Sequence, residues 1–382
     1  MIFSRYQGPF SDSIKLIGLV LLVIFSLLLG MYAAKRNLPP YTWVRSVYLM
    51  SQEQNWGLMK GDLVEVRTDH MILRGLPGHA EEGDFSRLPL RVSKYLSEPL
   101  RHLGRNTAGG IASFRTDSLN LKVVANIDPN RHPNMSELIS SGFDVYVDGK
   151  FYANLFSNDY KLNETIKFSA NSEKNIDVYF PTYGNISSIK FFVDKNALTK
   201  LPNVSEKLII YYGSSITQGC CASNPAMSYP SIVSRKLGVE QINLGFSGNG
   251  LGDIEIASFI NELSPTIIVL DFWANPSPSV YQKTLTPFIQ RIRSVHRKVP
   301  IIVTSAFANP RNEQTQKRKD QIAIQAVRLA KESGDRNVYF VDGLLNENEV
   351  DGLVDAKHPN SYGFSLVGRR LSHFIAKNDL LN

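Results

Sequence analysis

The sequence predicts an α/β protein: a parallel sheet with helices on both faces in the C-terminal half, an all-β domain before it, and one apolar helix at the N-terminus. Three observations carry this. Residues 208–376 alternate short apolar runs with amphipathic runs of helical length, the pattern of βαβ units. Residues 87–194 give short alternating runs broken by turn residues, which read as an antiparallel sandwich. Residues 16–34 form an unbroken run of apolar or small residues, roughly 19 residues and long enough to span a bilayer as a helix.

Residues 1–15 form a short, mostly polar tail with Arg5 and Lys15. The run at 16–34 is followed by Lys35 and Arg36. A cleaved signal peptide is the rival reading, but its core is usually shorter and ends in an Ala-x-Ala-like site. This run ends GMYAA, so an uncleaved anchor is expected, with the tail in the cytoplasm and the bulk of the chain outside it. Residues 35–45, with Pro39 and Pro40, read as a linker.

The all-β domain is expected over 46–200, with strands at 63–67, 70–73, 112–115, 119–126, 142–147, 150–155, 175–180 and 189–193. A further short strand is expected at 43–50. Turn signals fall at Asp128-Pro129, Asp148-Gly149 and Tyr183-Gly184-Asn185. His102 and His132 stand alone here and read as surface or packing residues. Sequons at Asn134, Asn163, Asn185 and Asn203 matter only in a eukaryotic secretory host.

The α/β domain is expected over 205–382. Its strands are predicted at 208–212, 241–244, 266–271, 301–305 and 338–341, and its helices at 229–237, 253–263, 280–296, 314–332 and 361–376. Composition agrees with folded domains: 43% of residues are hydrophobic and 20% charged. The net charge of +7 is spread over helix faces such as 291–298, and no aromatic-plus-basic platform appears, so nucleic acid is not an expected partner. Cys220 and Cys221 are the only cysteines. Adjacent cysteines rarely bridge, and the pair makes neither a disulfide framework nor a metal-ligand spacing. They read as small packing residues, and no metal or cofactor is expected.

Chemistry concentrates where strands end. The run LIIYYGSSITQG at 208–219 is a buried strand followed by a glycine turn and hydroxyls. NLGFSGNG at 243–250, DFWANP at 271–276 and DAKHPN at 355–360 fall at the ends of later strands or just before the last helix. In open α/β sheets such ends line the ligand crevice. The residue types suit acyl transfer. Ser215 is a candidate nucleophile, His358 the base that takes its proton, and Asp355 the carboxylate that orients the imidazole. The N–H groups of Ser215 and Gly248 and the side-chain amide of Asn275 are candidate oxyanion donors. Each piece also has a plain structural reading. Ser214-Ser215 could be an ordinary N-cap, His358 a packing or surface residue, Asp355 another N-cap, Asn275 a turn before Pro276, and 245–250 a flexible loop or a phosphate cradle, though no Lys follows in P-loop spacing.

This order of motifs resembles the SGNH hydrolases, also called the GDSL esterase/lipase superfamily. One bacterial branch pairs such a domain with a β-sandwich carrying a GxDLY motif. GFDVY at 142–146, RLP at 87–89 and TAGG at 107–110 resemble that sandwich. The resemblance implies a flavodoxin-like three-layer sheet. It also implies catalytic Ser215, Asp355 and His358, with an oxyanion hole of Ser215, Gly248 and Asn275. Two departures stand out: Ser214 replaces the usual Asp, and only Asn275 remains of the Gly-x-Asn-Asp block. The implied activity is a metal-free carboxylic ester hydrolase acting on an acylated small molecule or glycan. O-acetyl removal from an extracytoplasmic carbohydrate is the expected reaction, with the enzyme held at the membrane by its N-terminal helix. An acyltransferase with the same triad and a non-catalytic polysaccharide-binding envelope protein are the alternatives.

Overall fold

The computed structural model describes residues 62–157, 159–307 and 312–382. The expected tail, anchor, linker and the strand at 43–50 lie outside the described residues. Among those described, no helix is long and apolar enough to cross a membrane.

Ten strands build the antiparallel half: β1 (Leu63–Glu65), β2 (Ile72–Arg74), β3 (Ile111–Thr116), β4 (Asn120–Pro129), β5 (Phe143–Val147), β6 (Lys150–Leu155), β7 (Lys161–Lys167), β8 (Lys174–Tyr179), β9 (Gly184–Asp194) and β10 (Thr199–Lys200). One sheet runs β1-β9-β4-β7; the other runs β10-β3-β8-β5-β6, with β2 also on β3. Period-two alternation turns Leu121, Val123, Ala125 and Ile127 inward. They share a core with Phe114, Phe143, Val145, Ile176 and Val178 of the other sheet. The β5–β6 hairpin turns through Asp148 and Gly149, whose φ of 49° and 74° suit the twist of a two-residue hairpin.

Several local expectations are corrected. Tyr183-Gly184-Asn185 is not a free turn: Gly184 starts β9 and pairs with Pro129, the last residue of β4. Residues 68–70 form a single helical turn, so β2 begins at Ile72. Strand β7 is not legible in the sequence because it is an edge strand in which Glu164 breaks the alternation between Leu162 and Ile166, the two side chains it turns to the core. Four short helices were also unforeseen: α1 (Pro77–Glu82), α2 (Leu90–Ser93), α3 (Glu98–Gly104) and α4 (Glu137–Ser141).

The C-terminal half follows the predicted alternation. Its strands are β11 (Leu208–Gly213), β12 (Glu240–Gly245), β13 (Ile267–Asp271), β14 (Ile301–Thr304) and β15 (Val338–Val341). Its helices are α5 (Ser215–Gln218), α6 (Tyr229–Leu237), α7 (Ile254–Ile260), α8 (Pro278–Arg293), α9 (Glu313–Glu332) and α10 (Ser361–Lys377). All sheet pairings are parallel, in the order β12-β11-β13-β14-β15. Helices α6 and α10 pack on each other, while α7, α8 and α9 pack in series. Ile209, Ile210, Val269, Leu270, Ile302 and Val303 have no exposed surface. Such strands are buried on both faces, which is why they read as continuous apolar runs. The strand order reverses at β11, and that reversal opens the crevice where α/β sheets bind ligands.

Candidate active site

Ser215 owes its position to the end of β11. A Cβ on Gly213 would sit 1.9 Å from Thr217 Oγ1 and 2.7 Å from the Asp271 carbonyl oxygen, so only glycine lets the chain turn there. Ser214 caps the four-residue helix α5, its Oγ accepting from the Ile216 amide at 3.1 Å. The cap reading of Ser214 and the site reading of Ser215 are therefore compatible. Gly219 closes the turn at φ 105°.

Ser215 Oγ lies 2.9 Å from His358 Nε2. His358 Nδ1 lies 2.8 Å from Asp355 Oδ2, and the His358 amide donates to Asp355 Oδ1 at 2.9 Å. The carboxylate beside Nδ1 holds the ring proton there and leaves Nε2 to accept from the serine. The turn that brings Asp355 under its own histidine passes through Ala356 at φ 61°, a left-handed conformation costing about 1 kcal/mol without glycine. Bridge pairing of Leu353 with Pro359 and a 2.8 Å bond from the Val354 amide to the His358 carbonyl hold it shut. Partial burial pushes the Asp355 carboxyl up, but hydrogen bonds from the His358 amide, the His358 ring and Asn134 outweigh it and hold the carboxyl at about 2.

The three candidate oxyanion donors leave neighbouring strand ends, for Gly213 is in register with Gly245 and with Asp271. A Cβ on Gly250 would strike the Gly213 carbonyl oxygen at 2.3 Å, so the 246–250 loop lies directly on the β11 turn. Gly248 has φ 73° and nothing within 4 Å of an added Cβ; glycine there supplies a conformation and leaves open space beside it. Asn275 Oδ1 accepts from the Gly250 amide at 3.1 Å. That fixes its orientation and leaves Nδ2 as the end able to donate to a ligand.

Beneath the turn, Asp271 is fully buried. It accepts from Thr217 Oγ1 (2.9 Å), Tyr229 Oη (3.0 Å), Trp273 Nε1 (2.7 Å) and Thr304 Oγ1 (2.7 Å). Burial still leaves its carboxyl above the usual range despite these bonds. It ties α5 to β13 and β14, a role that its place at the head of the DFWANP segment does not reveal.

The antiparallel half reaches the same place. Asn134 Nδ2 donates to Asp355 Oδ2 at 3.0 Å; in the sequence this residue stands out only as a sequon. Arg87, fully buried, donates to the carbonyls of Leu103 (2.6 Å), Asn106 (2.8 Å), Asn243 (2.9 Å) and Gly245 (2.6 Å) and lies over the Phe246 ring. Burial pushes its guanidinium down to about 9. Asp144, the acid of GFDVY, accepts from Asn224 Nδ2 at 2.6 Å and the Ala226 amide at 2.7 Å. Gln218 of α5 donates to Asn106 Oδ1 and the Thr182 carbonyl and accepts from the Ser247 amide. No local pattern marks such pairings, whose partners stand far apart in the chain. The histidines agree with their plain readings: His102 is exposed, and His132 packs edge-on to Tyr183.

Serine, histidine and aspartate linked in line at a sheet's reversal form the arrangement that a serine acyl hydrolase uses. Comparison with known proteins agrees. Residues 206–375 match the GDSL-like Lipase/Acylhydrolase family and residues 64–199 match the N-terminus of Esterase_SGNH_hydro-type proteins, known as GxDLY. Residues 206–375 are thus a GDSL-like lipase/acylhydrolase domain behind a GxDLY domain at 64–199, and the protein is an SGNH-type hydrolase. Among solved structures it resembles a Bacteroides ovatus protein described as GDSL-like, at 27% identity and TM-score 0.76, over 83% of this chain and 98% of that one. It also resembles a salicylyl-acyltransferase from a tetracycline biosynthetic pathway, at 20% identity and TM-score 0.72, over 84% and 98%. An acetyl xylan esterase from the rumen bacterium Butyrivibrio proteoclasticus follows at 12% identity and TM-score 0.56, over 84% and 99%. No functionally curated protein matches the chain.

Proposed function

We propose that the protein is a serine esterase that removes O-acyl groups, O-acetyl above all, from a carbohydrate outside the cytoplasm. The observation that carries this reading is the continuous line from Asp355 through His358 to Ser215 Oγ. Ser215 Oγ attacks the acyl carbon as its proton passes to Nε2, and Asp355 stabilises the imidazolium. The N–H groups of Ser215 and Gly248 and Asn275 Nδ2 take the oxyanion, each such donor typically supplying about 3 kcal/mol. His358 returns the proton to the leaving alcohol, and water repeats the sequence on the acyl-serine.

The acetylated carbohydrate rests on the fold shared with an acetyl xylan esterase. The extracytoplasmic site rests on the apolar run at 16–34. Acyl transfer is the second reading, favoured by the fold shared with a salicylyl-acyltransferase. Added acceptor alcohols separate the two: hydrolysis yields free acid, transfer a new ester.

The deciding experiment measures p-nitrophenyl acetate hydrolysis and acetate release from acetylated xylan by the full chain. Ser215→Ala is expected to lower kcat by about 10⁴-fold or more with the fold intact. Full activity in that variant refutes the reading; an inactive parent that still binds xylan points to a glycan-binding protein instead.

A further inference from the structure

We propose that Cys220, Cys221 and His358 form a binding site for a thiophilic divalent cation of the zinc class, and that occupying it disables the triad. One ligand atom from each of the three residues lies within 4.8 Å of the other two. Cys220 is 1% exposed and Cys221 7%, whereas the His358 side chain is 15% exposed. The two thiols are therefore buried, and the imidazole is the member of the cluster that reaches the surface.

The backbone sets this arrangement. Successive side chains of an extended segment point to opposite sides, but Cys221 is held at φ 72° and the two sulfurs meet, 2.7 Å apart. A non-glycine residue in that conformation persists only where its surroundings over-determine it. Here the Cys220 amide donates to the Ser215 carbonyl at 2.8 Å, and Ser136 Oγ donates to the Ser223 carbonyl at 2.7 Å. Asp144 holds Asn224 and Ala226 just beyond. The thiols are thus held beside the histidine, and a tetrahedral ion bound there draws the sulfurs apart from 2.7 Å to about 3.8 Å.

The donor set names the ligand. Two thiolates and an imidazole suit zinc or cadmium and leave a fourth position for water, whereas magnesium and calcium require oxygen donors. Binding releases the two thiol protons to solvent, and no electron moves. Both ring nitrogens of His358 are already engaged, Nε2 with Ser215 and Nδ1 with Asp355. Coordination must displace one of these partners, and either exchange removes the base. Metal binding stands apart from the proposed esterase activity; its inhibitory consequence rests on that reading.

The test titrates the full chain, reduced and freed of reductant, with Cd²⁺. The expected result is a thiolate-to-metal absorption band that saturates at one equivalent, with two protons released per ion and competition by Zn²⁺. His358→Gln is expected to weaken the band's apparent affinity roughly tenfold or more. Cys221→Ser, and the double variant with Cys220→Ser, are expected to lose the band. Stoichiometric Zn²⁺ is expected to inhibit p-nitrophenyl acetate hydrolysis at least tenfold, reversibly by chelator, with no such inhibition in the serine variants. A folded parent without band or proton release overturns the site, whatever its activity. Equal zinc inhibition of the serine variants, each measured against its own metal-free rate, overturns the inhibitory role.

Discussion

Ser215 is positioned by residues next to it in the chain: Gly213, which alone fits the end of β11, and Ser214, which caps α5. Asp355 is positioned partly by Asn134, which belongs to the antiparallel half. The two halves thus serve one site differently. The parallel sheet brings every candidate reacting group to adjacent strand ends or to the turn before α10. The sandwich supplies none of them, but its Arg87, Asn134 and Asp144 hold the carbonyls, carboxylate and loop behind them. The candidate reacting side chains and the side chains that hold them still are encoded in different parts of this sequence.

Four substitutions test that division, from the strongest to the weakest. Asp355→Asn attacks the sheet side. It puts a donor against Nδ1, favours the wrong tautomer and is expected to lower kcat by about 10⁴-fold, read by steady-state hydrolysis; a loss under tenfold contradicts the assignment. Arg87→Met attacks the sandwich side. It leaves four buried carbonyls without their donor and is expected to cost about 3 kcal/mol, measured from urea midpoints. If stability hardly moves, Arg87 is not the clamp described here.

Asn134→Ala sharpens the comparison, since it touches the triad from the sandwich without touching the reacting atoms. It is expected to lower kcat about fivefold, near 1 kcal/mol, with KM unchanged. The sign with pH follows from the bond it removes. Asn134 favours the ionised carboxylate, so without it Asp355 protonates at a pH above about 2. The deficit relative to the parent therefore grows as pH falls toward the ordinary carboxylate range; a constant ratio across pH contradicts this. Asp320 of α9 is a control that makes no bond to the sandwich. Burial raises its carboxyl from 3.8 to about 6, so its contribution to stability is full below about 4 and lost as pH rises through about 6. Asp320→Asn keeps an acceptor for the Ala306 amide and is expected to stabilise the fold by about 1 kcal/mol at pH 8, after allowing for partial exposure, and little at pH 4. Thermal melts at the two pH values check it.

What could be read from the sequence follows the same division. The five parallel strands are legible because burial on both faces makes them continuous apolar runs. Ser215 and His358 are legible as candidates because a nucleophile and its base require particular residue types at strand ends and turns. Strand β7 is not legible, being an edge strand whose inward Leu162 and Ile166 are separated by Glu164, nor are α1 to α4, too short to show a helical period. Asn134 offered only a sequon, and Arg87 and Asp144 stood out only as parts of motifs resembling a known domain. Their partners are scattered over loops and strand ends, and no spacing rule joins them. Cys220 and Cys221 read as packing because their neighbour in space, His358, lies near the other end of the domain.

The carbonyl clamp of Arg87 also bears on how such proteins can be taken apart or recombined. Its donors serve Asn243 and Gly245 of the hydrolase sheet and Leu103 and Asn106 of the preceding half at once. A chain cut between 200 and 205, where composition changes, bares both ends of that contact. The antiparallel half is then not a detachable module but part of the enzyme's inheritance unit. Exchanging it between relatives should succeed only when the arginine and the loop it grips travel together, and one cooperative melt for the whole described region is the signature to look for.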